Sequence, residues 1–428
     1  MKKRILLVAV LQVFLVLNSC SSDSGGSDPV VVEPPVVVVK TAKITSYSKN
    51  SGETGETVSI YGENFSDKMS DIKVTFDGVA ATVASATASE IKVVLPQTEK
   101  VVPKLEVTIV DKAATNEVKN DYEGNIGILP ARTVTGWITQ ENSLKNDGTN
   151  ANIQMVSDKS LYFSSMKTSD GGITWKRWSE GEVIHATVNN EGWSTGLANP
   201  GLTKVSAGGS EITKNFANIE SSDVFYCVYV DATLKEGTAV TQNGKVYTTS
   251  NGIDFTKTYE LSGTKANLFK STKIDNNHMW VIGYKPTVGT ILKPFILYKN
   301  NTTDGWKEYP FVNEEAGYIA REICFVDNEN GFLIINHYNF ALLDVKLFKT
   351  NDGGDSWTEI YNNEFFSKFT FKDTNTGWAV LDNKIYKTTN GGAAWTLDYT
   401  HSQNIGNIAY KDNVVWAFSE DKIIKRYL

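Results

Sequence analysis

Cysteine is scarce in this chain. Three occur in 428 residues, Cys20, Cys227 and Cys324, a poor set for a disulfide framework and too few for a cysteine-ligated zinc site. Cys227 and Cys324 lie in apolar, strand-like runs and read as buried free thiols rather than a bridge. The four histidines are scattered without ligand spacing, so no metal and no cofactor is expected. Arginine occurs only at Arg4, Arg132, Arg177, Arg321 and Arg426. An excess of positive charge is missing too. A formal net charge of −7 argues against nucleic acid and against electrostatic docking on anionic lipid. There is no Gly-x-Ser-x-Gly elbow, no phosphate loop and no local Cys–His signature.

What is present begins with the N-terminus. Lys2, Lys3 and Arg4 form a basic start, and Ile5 to Leu17 is apolar except for Gln12. That run is shorter than the about 20 residues a spanning helix needs, and it reads as a signal peptide over 1–19. Leu17-Asn18-Ser19-Cys20 resembles the lipobox of bacterial lipoproteins, although Asn18 is unusual there. The resemblance implies cleavage before Cys20 and lipid on its thiol and new amino terminus. Several acyl chains anchor firmly where one is marginal. The other reading is a plain secretory signal with an incidental cysteine. The polar run Ser21 to Asp28 resembles the tethers of Bacteroidetes-type lipoproteins, and Ser21 after the cysteine fits sorting to the outer membrane. A lipid anchor in the outer membrane is therefore expected, facing outward or into the periplasm. Residues 20–41 form the tether. Its Pro34-Pro35 pair between valine runs favours extended backbone.

Residues 42–127 carry short alternating or β-branched runs separated by glycine-rich turns, such as Thr57 to Tyr61, Ile72 to Phe76 and Leu105 to Val110. That spacing argues for a small β-sandwich. The order Ser51-Gly52-x-x-Gly55, Val58-x-Ile60-x-Gly62-x-Asn64-Phe65, Val74-x-Phe76-x-Gly78 resembles an IPT/TIG domain. The resemblance implies an immunoglobulin-like fold used as a spacer or interaction module.

Residues 128–428 repeat a turn phrase. It reads Thr168-Ser-Asp170-Gly-Gly172-Ile-Thr-Trp175, Thr350-Asn-Asp352-Gly-Gly354-Asp-Ser-Trp357 and Thr388-Thr-Asn390-Gly-Gly392-Ala-Ala-Trp395. Shortened copies hold Asn251 and Phe255, and Asp304 and Trp306. Paired glycines supply positive φ, the Asp or Asn can bond nearby N–H groups, and the Trp starts the next strand. The phrase resembles the Asp-box of BNR-repeat β-propellers, a superfamily of sialidases, sortilin-type receptors, xyloglucanases and photosystem II assembly-factor-like proteins. It implies a fold, and these residues are read as structural. A second phrase, as in Gly192-Trp193, Trp280, Gly331-Phe332, Gly377-Trp378 and Trp416, completes a four-strand unit. The unit near 208 is degenerate. The last unit lacks a turn phrase, and an orphan strand around Trp137 precedes the first. If that strand completes the last unit, the ring has seven blades; six is the alternative. The fold class is thus all-β, an Ig-like sandwich followed by a propeller.

Strands alternate in direction, so the turns between second and third strands lie on the rim opposite the glycine phrases. Three are long: Thr195 to Thr203, Gly283 to Pro294 and Asn336 to Asp344. Loops on a rigid scaffold suit recognition. Tyr284, Lys285, His337, Tyr338, Asn339 and Phe340 are the candidate ligand-binding residues. Trp178, outside the repeat positions, is another, as an exposed platform or as packing between blades. The expected function is a monomeric, non-catalytic binding lipoprotein with a glycan or protein partner. A glycoside hydrolase is the second reading, drawing on Glu180, Glu182, Glu314, Glu315 or Asp344 and requiring a facing pair of carboxylates. An envelope assembly factor is the third.

Overall fold

The computed structural model describes residues 40–428 apart from 188, 196–200, 207–210, 214–222, 232–234, 287–290, 312–316, 338–343 and 364–365. The strands of residues 42–127 form two facing sheets, apart from Ser51–Glu53, which pairs with Gly127–Leu129. One orders Thr115–Asn116, Lys43–Tyr47, Thr57–Glu63, Glu90–Val94 and Thr82–Ala86. The other orders Val79–Ala80, Ile72–Phe76, Leu105–Ile109 and Lys112–Ala113. Period-two alternation sends one face of each strand inward. Ile44, Val58, Ile60, Val74, Phe76, Ile91, Val93 and Val107 fill the space between the sheets.

Seven four-stranded antiparallel sheets follow. Their innermost strands are Ile153–Met155, Glu182–Ala186, Phe225–Val230, Asn267–Asp275, Tyr318–Phe325, Lys368–Phe371 and Ile405–Lys411. Each touches the next, and Ile405–Lys411 returns to Ile153–Met155, so the ring closes. We number the blades 1 to 7 in this order. Blade 7 takes its outer strand from the far end of the sequence: Trp137–Glu141 pairs antiparallel with Lys422–Tyr427. The orphan Trp137 strand thus closes the wheel, and the ring is seven-bladed. The degenerate unit near 208 is the full sheet of blade 2, with Leu202–Val205 pairing Glu211–Thr213.

Apolar side chains pack between blades. Trp193, Trp280, Phe332, Trp378 and Trp416, from the second strand of their blades, are fully buried. Trp280 stacks on Phe325 of the next blade at 3.5 Å, and Phe332 stacks on Phe371 likewise. At the closure, Lys425 lies 3.9 Å from the Trp416 ring and donates to Gln140 Oε1 and Gly171 O. Burial pushes this ammonium down to about 7.

The turn phrases sit between third and fourth strands, all on one rim. Their chemistry is a small closed network. The Thr350 hydroxyl donates to Asp352 Oδ1 at 2.7 Å and accepts from Gly354 N at 3.0 Å. Asp352 in turn accepts from Ser356 N at 2.9 Å. Gly353 and Gly354, at φ of 73° and 93°, occupy backbone that a side chain would strain. The Thr168–Asp170 and Thr388–Asn390 copies repeat the pattern.

The Ig-like domain docks on this same rim, and Thr41–Leu428 forms one compact unit. Tyr122 Oη donates to Asp170 Oδ2 at 2.8 Å, and Lys176 pairs with Asp121 at 2.6 Å. Arg132 bridges Glu53 and Asp158. Tyr122, Leu129 and Ile173 bury together beneath these bonds.

Removing the carboxylate that closes an intact turn, with its three donors from Thr350 and Ser356, should cost more than removing one from a shortened copy. Asp352→Ala is expected to lower unfolding stability by about 1–3 kcal/mol. Asp304, exposed and bonded to Asn301 and Lys307, should change it by less than about 0.5 kcal/mol when replaced by Ala. Urea unfolding of the two variants makes the comparison.

Candidate functional site

The rim away from the Ig-like domain holds the mouth of the central channel. A regular strand sends successive residues to opposite faces, but a β-bulge re-aims one of them. Bulges recur at one position of five innermost strands. The register shifts at Ile184, Tyr226, Phe269, Arg321 and Gly406. In consequence Phe269 and Lys270 of blade 4 line one cavity, and so do Arg321 and Glu322 of blade 5. Phe366, Ser367 and Lys368 of blade 6, Thr149 to Asn152 ahead of blade 1, and Asn336 complete it. The volume is about 320 Å³, at the lower end of small-molecule sites.

Its electrostatics centre on Glu322. The carboxylate is buried, with Lys270 Nζ at 2.6 Å from Oε2 and Lys368 Nζ at 2.5 Å from Oε1. Burial opposes its ionisation, but the two ammoniums outweigh that and hold the carboxyl below its usual range. Lys368 is shifted down by burial, against the pull of Glu322 and with the push of Lys270. Asn336 is 4% exposed, and its Oδ1 has no hydrogen-bond partner among the described residues.

Glu182 starts blade 2 nearby and accepts from Asn152 Nδ2 at 3.3 Å. Burial raises its pKa. Two carboxyls with shifts of opposite sign are the pattern of an acid and its partner. Here, however, each Glu322 oxygen is taken by an ammonium, so neither is presented to a water or a sugar carbon. The arrangement binds charge more readily than it performs hydrolysis.

Deeper in the channel, His185 is neutral. Burial, then Lys273, push it down to about 3. Its Nε2 lies 2.9 Å from Val230 O. Lys273 donates to Ile184 O and is lowered by burial to about 8.

The residues singled out from sequence are dispersed. Tyr284 Oη accepts from Asn267 Nδ2 at 2.9 Å and lies 6.5 Å from Phe269, beside the mouth. Lys285 pairs with Glu308 and lies over the Phe295 ring. His337 follows Asn336, edge-on to Tyr318, with a buried Nδ1 that has no partner among the described residues. Tyr338, Asn339 and Phe340 lie outside the described residues, as do Glu314, Glu315 and Cys20. Trp178 is no exposed platform. It is 5% exposed, packs edge-on against Tyr162 at 4.9 Å and donates to Asn190 O. Glu180 pairs with Arg177 at the surface, and Asp344 accepts the Tyr318 hydroxyl. Arg426 is held by Asp398. Of the propeller arginines, Arg321 is the one at the mouth.

Phe269, Lys270, Glu322 and Lys368 escaped sequence reasoning, which looked to long loops and reached Asn336 only as the start of one. The available signal was charge inside an apolar innermost strand, Arg321-Glu322 within Tyr318–Phe325. Among the described residues no group of His, Cys, Asp and Glu could hold a metal, and no helix is long and apolar enough to cross a membrane.

Comparison with known proteins places residues 42–122 in the IPT/TIG domain family. No curated protein matches the chain. Among solved structures the chain is similar to YCF48 from Cyanidioschyzon merolae, at 16% identity over 68% of this chain and 99% of that one, with a TM-score of 0.48. An auxiliary nutrient binding protein from Bacteroides ovatus is similar at 10% identity, covering 90% of this chain and 97% of that one, with a TM-score of 0.36. The GH74 xyloglucanase from Xanthomonas campestris is similar at 9% identity over 76% of this chain and 52% of that one, with a TM-score of 0.41.

Breaking the buried charge cluster should be costly. Glu322→Ala leaves Lys270 and Lys368 facing each other and is expected to destabilise the protein by about 3–5 kcal/mol. Glu180→Ala, at an exposed pair, should stay within about 0.5 kcal/mol. Urea midpoints of the two variants check this.

Proposed function

We propose that this protein is a lipid-anchored, non-catalytic binding protein of a bacterial envelope, with a glycan or protein partner held on the propeller rim that carries the channel mouth. One observation carries the reading. The Ig-like domain contacts the glycine-turn rim through Tyr122, Asp121 and Glu53, and these contacts do not involve the opposite rim. That opposite rim holds the cavity, its charged lining and the Asn336 amide oxygen, which has no partner among the described residues. Buried polar groups without partners are rare in folded proteins and suit a site completed by a ligand. The turn network supports the Asp-box reading of the repeat. The lipobox-like Leu17 to Cys20 supports the anchor, with Cys20 as its lipidated residue and the outer membrane as its place.

Exposed Asn150 lies in the cavity lining, so its substitution spares the core. Asn150→Trp places bulk at the mouth. In a chain lacking residues 1–20, it should weaken capture of the native envelope partner by at least about tenfold with an unchanged melting temperature. A glycan array and a pull-down from envelope extract read this out, and unchanged capture would contradict the reading. In cells, Cys20→Ala should move the protein from the membrane to the soluble fraction.

A further inference from the structure

Below the mouth, the channel holds a second cavity of about 370 Å³, which shares Asn152 with the first. Lys273 of blade 4 and exposed Lys411 of blade 7 line it, and among the described residues no carboxylate does. Lys273 Nζ donates to Ile184 O, and an ammonium carries more donors than that one bond uses. The carboxylates nearest this wall are spent elsewhere. Asp275, two residues beyond Lys273, accepts from Asn277 N and lies 2.9 Å from His278 Nδ1. Glu182 is bonded by Asn152 and Ser164, and Asp231 by the N–H groups of Lys235 and Glu236. Blade 3 adds the hydroxyls of Tyr226 and Tyr229 to the lining, the first re-aimed by the bulge between Phe225 and Cys227. Burial and the neighbouring carboxylates raise both phenols, so each keeps its proton and can donate it. His185 is neutral, and the Cys227 thiol, pushed up by burial, stays protonated.

We propose that this cavity binds a tetrahedral oxyanion, a phosphate or sulfate group, between Lys273, Lys411 and the hydroxyls of Tyr226 and Tyr229. The site lies deeper than the mouth and does not depend on the partner reading above. Its donors come from blades 3, 4 and 7, on different sides of the axis. A tetrahedral ion directs its oxygens outward on every side and meets such a spread. A planar carboxylate presents its oxygens on one edge, and suits a fork that approaches from one direction. The pair of lysines also matches the charge of a dianion. A cation-lined recess with low-dielectric walls concentrates its field on an entering anion. Binding should carry a proton signature. Burial lowers the Lys273 ammonium to about 8, and an anion beside it favours the charged form. Loading the site at pH 8 should therefore draw protons onto Lys273. Affinity should fall as the pH rises through that value, because the ammonium is the form that binds. Below pH 7 Lys273 is already charged, and neither effect should be seen.

The test is calorimetric titration of the chain lacking residues 1–20, in low-salt buffer, with sulfate, inorganic phosphate and acetate. Sulfate keeps a constant charge across the range and isolates the lysine. It should bind about tenfold more weakly at pH 9 than at pH 7, since only about a tenth of Lys273 is still charged at pH 9. At pH 8, heats measured in buffers of different ionisation enthalpy should show proton uptake. Acetate should bind at least about tenfold more weakly than sulfate at pH 7, the factor that one charge-assisted hydrogen bond supplies. The tighter of sulfate and phosphate names the source of the group. Lys273→Met should abolish binding. Tyr226→Phe removes only a hydroxyl, so it spares the fold, and it should weaken sulfate at least about threefold. Sulfate affinity that is flat from pH 7 to pH 9, or unchanged in either variant, overturns the site, and so does failure of both tetrahedral ions to bind. Acetate binding as tightly as sulfate overturns the choice of a tetrahedral ion. The partner reading fails separately, when Asn150→Trp leaves capture of the native partner intact.

Discussion

A threonine hydroxyl, a carboxylate or amide, and a pair of left-handed glycines close each intact turn of this propeller, and the rest of the architecture depends on that closure. Outer strands of a blade are short; Lys176–Arg177 has two residues. Strands of that length gain little from their own ladder, so the turn must fix them. The network does so by satisfying backbone donors from Gly172, Ile173 and Thr174 within eight residues of chain. With the turns fixed, each blade presents a flat apolar face, and tryptophans such as Trp280 and Trp378 join it to the next. The ring then closes through one antiparallel pairing of the first and last strands, so the seven blades stand or fall together.

The same turns divide the labour between the two rims. Asp170 illustrates this, since its carboxylate closes the blade 1 turn and also accepts the Tyr122 hydroxyl of the Ig-like domain. Structural polarity on that rim is consumed internally or by the neighbouring domain. On the other rim, polar groups are placed by bulges in innermost strands, and among the described residues Asn336 Oδ1 has no partner. A bulge sacrifices ladder regularity to bring adjacent residues such as Arg321 and Glu322 to one wall. That irregularity is tolerated because blades 4, 5 and 6 are clamped by their apolar faces behind it.

The fold was legible because its determinants are local and repeated. Glycine pairs, turn carboxylates and Gly-Trp strands recur in sequence, and the unpaired Trp137 strand announced the closure. The role of the threonine was not read, although Thr168, Thr249, Thr350 and Thr388 precede every intact or nearly intact copy; the hydroxyl acts only once the turn is folded. The site was far less legible. Lys270, Glu322 and Lys368 lie about fifty residues apart in the chain and meet only because three blades converge on the axis. A bulge leaves no trace in hydrophobic periodicity, so residues such as Phe269 looked like ordinary strand positions. Trp178 was conspicuous in sequence because it broke the repeat, and the structure uses that break to pack Tyr162.

The account's central claim is that the two rims have different tasks, one holding the ring and the Ig-like domain and the other meeting the ligand. Hydrogen–deuterium exchange with and without the captured partner tests it most directly. The account predicts new protection in 149–152, 267–270, 319–322 and 366–368, with no change in the turns at 168–175, 350–357 and 388–395. Protection concentrated in those turns, with the channel mouth exchanging as before, would contradict it.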